Sequence, residues 1–234
     1  MNKSANCLSL GDRMKRNYEN ISRHYLMRRV PVIIRLDGKA FHTLTQDLKK
    51  PFDSDFRDAM EKTAIKLISE IQGAKFAYVQ SDEISILVTD YDNLETDAWF
   101  AYNIQKMVSI SAAVASVTFS NSFHKHPAYF DSRAFNISRE EVVNYFIWRQ
   151  LDWIRNSIQM HAQSLYLHNE LIGKKEDELH QLIFLKGENW NNNEPRFKNG
   201  SAVNGLRVVS PMPDLRKNLN YVRYLNDLVN CDCE

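Results

Sequence analysis

The sequence has little of what punctuates or staples a chain. Its 234 residues include only three cysteines, seven glycines and six prolines. Cys7, Cys231 and Cys233 sit near the chain ends. An odd number so placed makes no disulfide framework, and a reduced, cytoplasmic setting is expected. Cys231 and Cys233 form a Cys-x-Cys pair, but no third or fourth ligand of matching spacing accompanies them. With so few glycines and prolines no flexible linker is visible. No apolar run approaches the roughly 20 residues that cross a bilayer, so no membrane role is expected. Met1 to Gly11 lacks the charged, apolar and small-residue order of a signal peptide. An excess of one charge is also missing: 30 Lys and Arg against 29 Asp and Glu leave a net charge of +1. A nucleic-acid binder acting by bulk charge is far more basic, so any RNA contact must use local patches. The densest is Arg13, Lys15, Arg16, Arg23, Arg28 and Arg29 on an N-terminal basic helix. A solvated helix face explains that pattern equally well.

What the sequence does contain is alternating strand and helix signals. Val30 to Leu36 is β-branched and mostly apolar, and it stops at Asp37-Gly38; it reads as a buried strand ended by a turn. The spacing of Phe56, Met60, Ala64, Leu67, Ile68 and Ile71 predicts a helix over 54–72. Asp53 or Ser54 caps its start, and Gly73 ends it. Two strands follow, at 75–79 and 84–89, joined as a hairpin through Gln80-Ser81-Asp82-Glu83. A long helix rich in small residues is expected over 96–123. A strand is expected over 128–137, and an amphipathic helix over 139–159 with Trp148 and Trp153 in its core face. The order strand, helix, strand, strand, helix, strand predicts an α+β fold of the ferredoxin-like split β-α-β type. Its antiparallel sheet would carry helices on one face. Beyond Met160 a helix is expected over 176–185, and a short strand over 206–209. His161, His168 and His180 show no metal spacing and are read as structural.

Acidic residues stand where apolar strands end. Asp37 closes the first strand, and Asp82-Glu83 tips the hairpin. The split β-α-β order places those ends side by side. Two neighbouring carboxylates repel unless a cation lies between them. Mg²⁺ suits such a site, because it takes oxygen ligands from one or two carboxylates plus phosphates and water. Two such ions can activate an attacking hydroxyl and neutralise a leaving group. Asp-Gly is also a common turn signal, so two solvated turns are the competing reading.

Several blocks in order carry a family resemblance: Arg35-Leu36-Asp37-Gly38-Lys39-Ala40-Phe41-His42, Lys50-Pro51-Phe52-Asp53, Tyr78 to Ser85, Tyr145 to Asp152, and Lys186-Gly187 through Trp190-Asn191. From about Tyr18 to Val209 the chain resembles the tRNA-His guanylyltransferases and their bacterial and archaeal relatives. The resemblance implies a polymerase-like palm over 1–160 and a helical C-terminal extension over 161–234 packed on it. It implies a nucleotidyltransferase that works in the 3′-to-5′ direction on the 5′ end of tRNA, with GTP and ATP as substrates. Asp37, the Gly38 carbonyl and Asp82 would hold two Mg²⁺ ions, with Glu83 in support. The segment Lys39, Ala40, Phe41 and His42, together with Lys50, Asp53, Ser81 and Lys106, would hold nucleotide. Arg149, Arg155, Asn156 and Lys186 would meet RNA. A homotetramer is implied as well. The chain departs from guanylyltransferases proper at Ile154-Arg155-Asn156-Ser157, where they carry His-Ile-Asn-Asn, and at Tyr102-Asn103, where they carry paired arginines. That implies templated repair of 5′-truncated tRNA rather than guanylate addition to tRNA-His. The rivals are a cyclase or forward polymerase sharing the aspartates, and an RNA-binding module with inert carboxylates.

Overall fold

The computed structural model describes residues 8–124 and 127–230; Cys7 and the Cys231–Cys233 pair lie outside them. Six strands form one antiparallel sheet: β1 (Val32–Gly38), β2 (Ala74–Gln80), β3 (Glu83–Val88), β4 (Phe130–Asn136), β5 (Ser201–Asn204) and β6 (Val209–Pro211). Their order is β4-β1-β3-β2-β5-β6, so the first four strands follow the ferredoxin-like arrangement. The helices are α1 (Leu10–Met14), α2 (Phe41–Leu44), α3 (Ser54–Glu70), α4 (Ile104–Phe123), α5 (Val142–Leu165), α6 (His168–Leu171), α7 (Glu176–Leu185), α8 (Pro195–Asn199) and α9 (Leu219–Asp227).

Helices cover both faces of the sheet, not one as expected. On the first face, Val32, Ile34, Leu36, Ile84, Ile86 and Val88 pack against α3 and α4 residues such as Met60, Leu67 and Phe119. On the second, Ile33, Phe76, Tyr78 and Leu87 pack against Val142 and Phe146 of α5 and Leu225 of α9. The cause lies in the strands. β3 is buried at every position, so it has no solvent face, and both of its apolar rows need cover. A third cluster joins Ile154, Ile158 and Ala162 of α5 to Leu171, Leu179, Ile183 and Trp190.

Other boundaries also moved. α4 begins at Ile104, where the Asn103 side chain caps the Lys106 amide; before it, Phe100 and Ala101 turn left-handed and interrupt the helix. The late strand expected over 206–209 is instead the β5–β6 hairpin, and Leu206 at its turn is 84% exposed. α3 starts as expected, with Asp53 accepting from the Phe56 amide at 2.9 Å. The segment after residue 160 adds two strands to the sheet, and position 160 falls inside α5.

Candidate active site

Two elements meet at one end of the sheet. β1 ends in Leu36-Asp37-Gly38, and the β2–β3 hairpin turns through Ser81 and Asp82. Ser81 takes a left-handed conformation (φ 47°) to make that two-residue turn. The Gly38 amide donates to the Asp82 carbonyl at 3.1 Å, which holds the two carriers side by side. Register pairs Asp37 with Glu83 on β3 and with Asp131 on β4. Strand alternation sends Asp37 to the same side as Arg35, away from buried Leu36.

Electrostatics follow from that crowding. Burial pushes the Asp82 carboxyl up to about 6, and the nearby Asp37 charge acts the same way; a backbone amide and the Ser81 hydroxyl pull it down. A divalent cation between such carboxylates relieves the repulsion. Among the described residues no group of three or more His, Cys, Asp or Glu side chains is poised to hold a metal. A cation bound to Asp37 and Asp82 would therefore complete its shell with phosphate and water, as Mg²⁺ commonly does.

Glu83 is occupied elsewhere. Its carboxylate receives Arg149 Nε (2.8 Å) and a second Arg149 nitrogen (2.9 Å), and Arg35 Nε lies 3.2 Å away. Burial raises its proton affinity while the two guanidiniums lower it. Glu83 thus braces the hairpin from the face of the sheet that also carries Asp37. Arg149 was expected on RNA; the structure buries it between Glu83 and Asp152, so it has no surface to offer a nucleic acid. Its position on the core face of α5, between Phe146 and Trp153, is the reason.

The expected nucleotide-binding residues divide. Lys39, Ala40, His42 and Lys50 are exposed near the aspartates, and Ser81 is half-buried beside them. Ala40 is left-handed (φ 58°), which starts α2 immediately after the strand. Lys50 Nζ donates to the Thr45 carbonyl at 3.3 Å. The Phe41 side chain is buried, with its ring 5.2 Å from Phe119 and 5.1 Å from Phe130. Asp53 spends both oxygens on backbone, accepting from the Phe56 and Lys49 amides. Lys106 stands at the far end of α4, where Ile104 bonds His24. Thirteen residues of helix, roughly 20 Å, separate it from Phe119 at the active-site end. Beside Ser81 and Lys50 opens a cavity of about 100 Å³, bordered by Phe56, Arg57, Met60, Trp153 and Phe197.

Of the other residues expected on RNA, Arg155 is exposed and paired with Asp152 (2.9 Å), and Asn156 is exposed. Lys186 lies over the Tyr166 ring at 4.9 Å. Ile154 is packed in the third cluster. Three further findings escaped the sequence. Asp131 joins the carboxylate row, and only the β1–β4 register could have shown it. His161 is not an isolated structural histidine: Nε2 lies 2.7 Å from Glu188 and Nδ1 lies 2.9 Å from Asn193. Trp148, expected in the core, is 52% exposed.

An antiparallel sheet of this strand order, with paired carboxylates at the end of its first strand and at its hairpin tip, defines a polymerase-like palm. Comparison supplies the family: the model described as "Thg1: tRNAHis guanylyltransferase" matches residues 11–138, and the chain belongs to that family of nucleotidyltransferases. A bacterial tRNA(His) guanylyltransferase-like protein solved in complex with ATP is 43% identical, with a TM-score of 0.88 over 93% of this chain and 99% of that one. A bacterial like-protein in complex with GTP is 39% identical, with a TM-score of 0.79 over 94% and 99%. The tRNA(His) guanylyltransferase of Schizosaccharomyces pombe is 29% identical over 208 residues, covering 80% of this chain and 77% of its own. No described helix is long and apolar enough to cross a membrane.

Proposed function

We propose that this chain extends the 5′ end of tRNA in the 3′-to-5′ direction, as templated repair of 5′-truncated tRNA. The observation that carries the reading is the meeting of Asp37 and Asp82 at one sheet end, in a chain of this family. ATP or an existing triphosphate activates the 5′ phosphate. The 3′-hydroxyl of an incoming nucleotide, often GTP, then attacks that phosphorus. One P–O bond forms, and the bond to AMP or pyrophosphate breaks. Phosphoryl transfer of this kind needs positioning and charge neutralisation more than covalent help. Bound Mg²⁺ would lower the charge on the reacting phosphates, with Asp37, Asp82 and the Gly38 carbonyl as its protein ligands. Lys39 and Lys50 offer cations to the triphosphate. In the turn after Gly38 the Lys39 and Thr43 amides already bond the Tyr129 and Ala40 carbonyls; the turn amides between them suit phosphate oxygens. Ile154 in place of an imidazole favours repair over guanylate addition to tRNA-His. A homotetramer in the cytoplasm is part of the same reading.

The test is incubation with a 5′-truncated tRNA, an intact tRNA-His lacking its extra guanylate, labelled GTP, ATP and Mg²⁺. Extension of the truncated species, lost on omission of Mg²⁺ and reduced at least ~100-fold in Asp37→Ala and Asp82→Ala, is expected. A cyclic nucleotide product, or guanylate addition confined to tRNA-His, refutes the repair assignment.

A further inference from the structure

We propose that Trp148 is the stacking platform for the terminal nucleobase of the RNA 5′ end, an assignment that rests on the RNA-extending reading above. Of the four aromatic side chains on α5, Tyr145, Phe146 and Trp153 are buried, and Trp148 is 52% exposed. Apolar surface of that size left in water is unfavourable, and aromatic rings dominate the energetics of interfaces they enter.

The position of the ring is specific. The Tyr145 ring meets it edge-on at 5.8 Å, and the Tyr145 hydroxyl lies 2.8 Å from Ser85 Oγ. Ser85 is the cross-strand partner of Arg35. The Arg149 guanidinium lies 4.6 Å over the indole while it binds Glu83, the cross-strand partner of Asp37. Trp148 is therefore held against Tyr145 and Arg149, and Arg149 in turn binds the carboxylate that lies across the strands from Asp37. That anchoring preorients the indole and leaves about half of the side chain open.

Charge selects the occupant. Arg35 and Arg133 face each other across β1 and β4, and Arg155 stands two turns further along α5. Arg133 pairs with Asp131 at 3.5 Å and Arg155 with Asp152 at 2.9 Å, all four side chains at least partly exposed. Exposed pairs of this kind are weak and exchange readily for phosphate oxygens. An exposed indole on α5, with Arg155 on the same helix and Arg133 on the neighbouring strand β4, matches the combination that holds single-stranded ends: base stacking plus backbone contacts. A protein partner would call for a wider apolar surround than Asn144, Leu151 and Arg155, the exposed neighbours of Trp148 along α5.

The experiment uses the full chain and an acceptor-stem RNA hairpin lacking its 5′ nucleotide. Trp148→Ala is expected to raise the KM for this RNA by about tenfold or more, with kcat and the affinity for GTP within twofold of wild type. Trp148→Phe should keep RNA binding within threefold. RNA should shield wild-type tryptophan fluorescence from acrylamide and fail to do so in Trp148→Phe, since Trp99, Trp153 and Trp190 are buried. Equal RNA affinity in Trp148→Ala, or a smaller sedimenting species in that variant, overturns the assignment; the latter would mean that the indole covers another copy of the chain. If the wild type extends 5′ ends and Trp148→Ala does so equally well, only this assignment falls. If the wild type neither binds nor extends the hairpin, the RNA-extending reading falls with it.

Discussion

Asp82 sits in a two-residue turn between buried strands, and burial sets its proton affinity. The unfolded carboxyl titrates near 3.8 and the folded one at about 6. Between those values the folded chain keeps a proton that the unfolded chain releases. Stability therefore falls as pH rises from about 4 to 6 and stays low above. Asp82→Asn should accordingly be about 1–3 kcal/mol more stable than wild type at pH 7.5 without divalent cations. The advantage should vanish below pH ~4 and shrink when Mg²⁺ is added. Urea melts at both pH values check this, and an asparagine variant less stable at pH 7.5 would contradict it. Arg149 gives the converse case. Removing its guanidinium leaves Glu83 buried without its closest partner, so Arg149→Ala should lose about 3–5 kcal/mol. Adding Glu83→Gln should recover part of that loss; strict additivity of the two changes would exclude the coupling. The sequence offered a clue to this burial: Phe146, Arg149 and Trp153 share one helical face at spacings of three and four. A cation on that stripe is more simply a buried partner than a surface contact.

At the scale of elements, the turn from β1 into α2 is built around an aromatic ring. A Cβ on Gly38 would stand 2.4 Å from the Phe41 ring, and that ring is fixed by Phe119 and Phe130. Gly38→Ala should then cost about 1–3 kcal/mol through overpacking and displace the neighbouring Asp37. Gly38→Ala combined with Phe41→Leu should regain part of the stability. A Gly38→Ala protein with unchanged melting and activity would show that the ring yields freely. The Asp-Gly signal was legible as a strand end, and the helix over 54–72 was legible from its cap and its periodicity. Less was legible where conformation depends on tertiary contact. Residues 96–103 read as helix by composition, yet Leu26 and Ile104 make backbone bonds with Tyr102 and His24, and the helix waits for the Asn103 cap. β5 and β6 are four and three residues long, too short for period-two alternation to register. The burial of α5 against the second face was hidden because a split β-α-β pattern fixes strand order, not how many apolar rows the strands expose.

For the whole molecule, the sequence suggested a palm ending near residue 160 and an appended C-terminal segment. The structure interleaves them. β5 pairs with β2 from Phe76 to Val79, and Ala202, Met212, Leu215, Leu225 and Val229 share a cluster with Ile33, Phe76, Leu87 and Phe146. The Gln150 side chain holds the far segment from both directions, donating to the Pro213 carbonyl at 2.7 Å and accepting from the Leu215 amide at 2.9 Å. A chain cut after Met160 would lose the last turn of α5, uncover the apolar row that Ala202 and Leu225 now close, and leave β2 as an open edge. Open, flat, apolar edges recruit other chains. Residues 1–160 alone should therefore be insoluble or aggregate on refolding, and the full chain should unfold in one transition, with both segments lost together. Two resolved transitions, or a soluble 1–160 fragment with native near-ultraviolet dichroism, would show that the palm folds by itself. The active site shares that dependence, because β2 is one arm of the hairpin that carries Asp82, and its outer neighbour in the sheet comes from beyond residue 200.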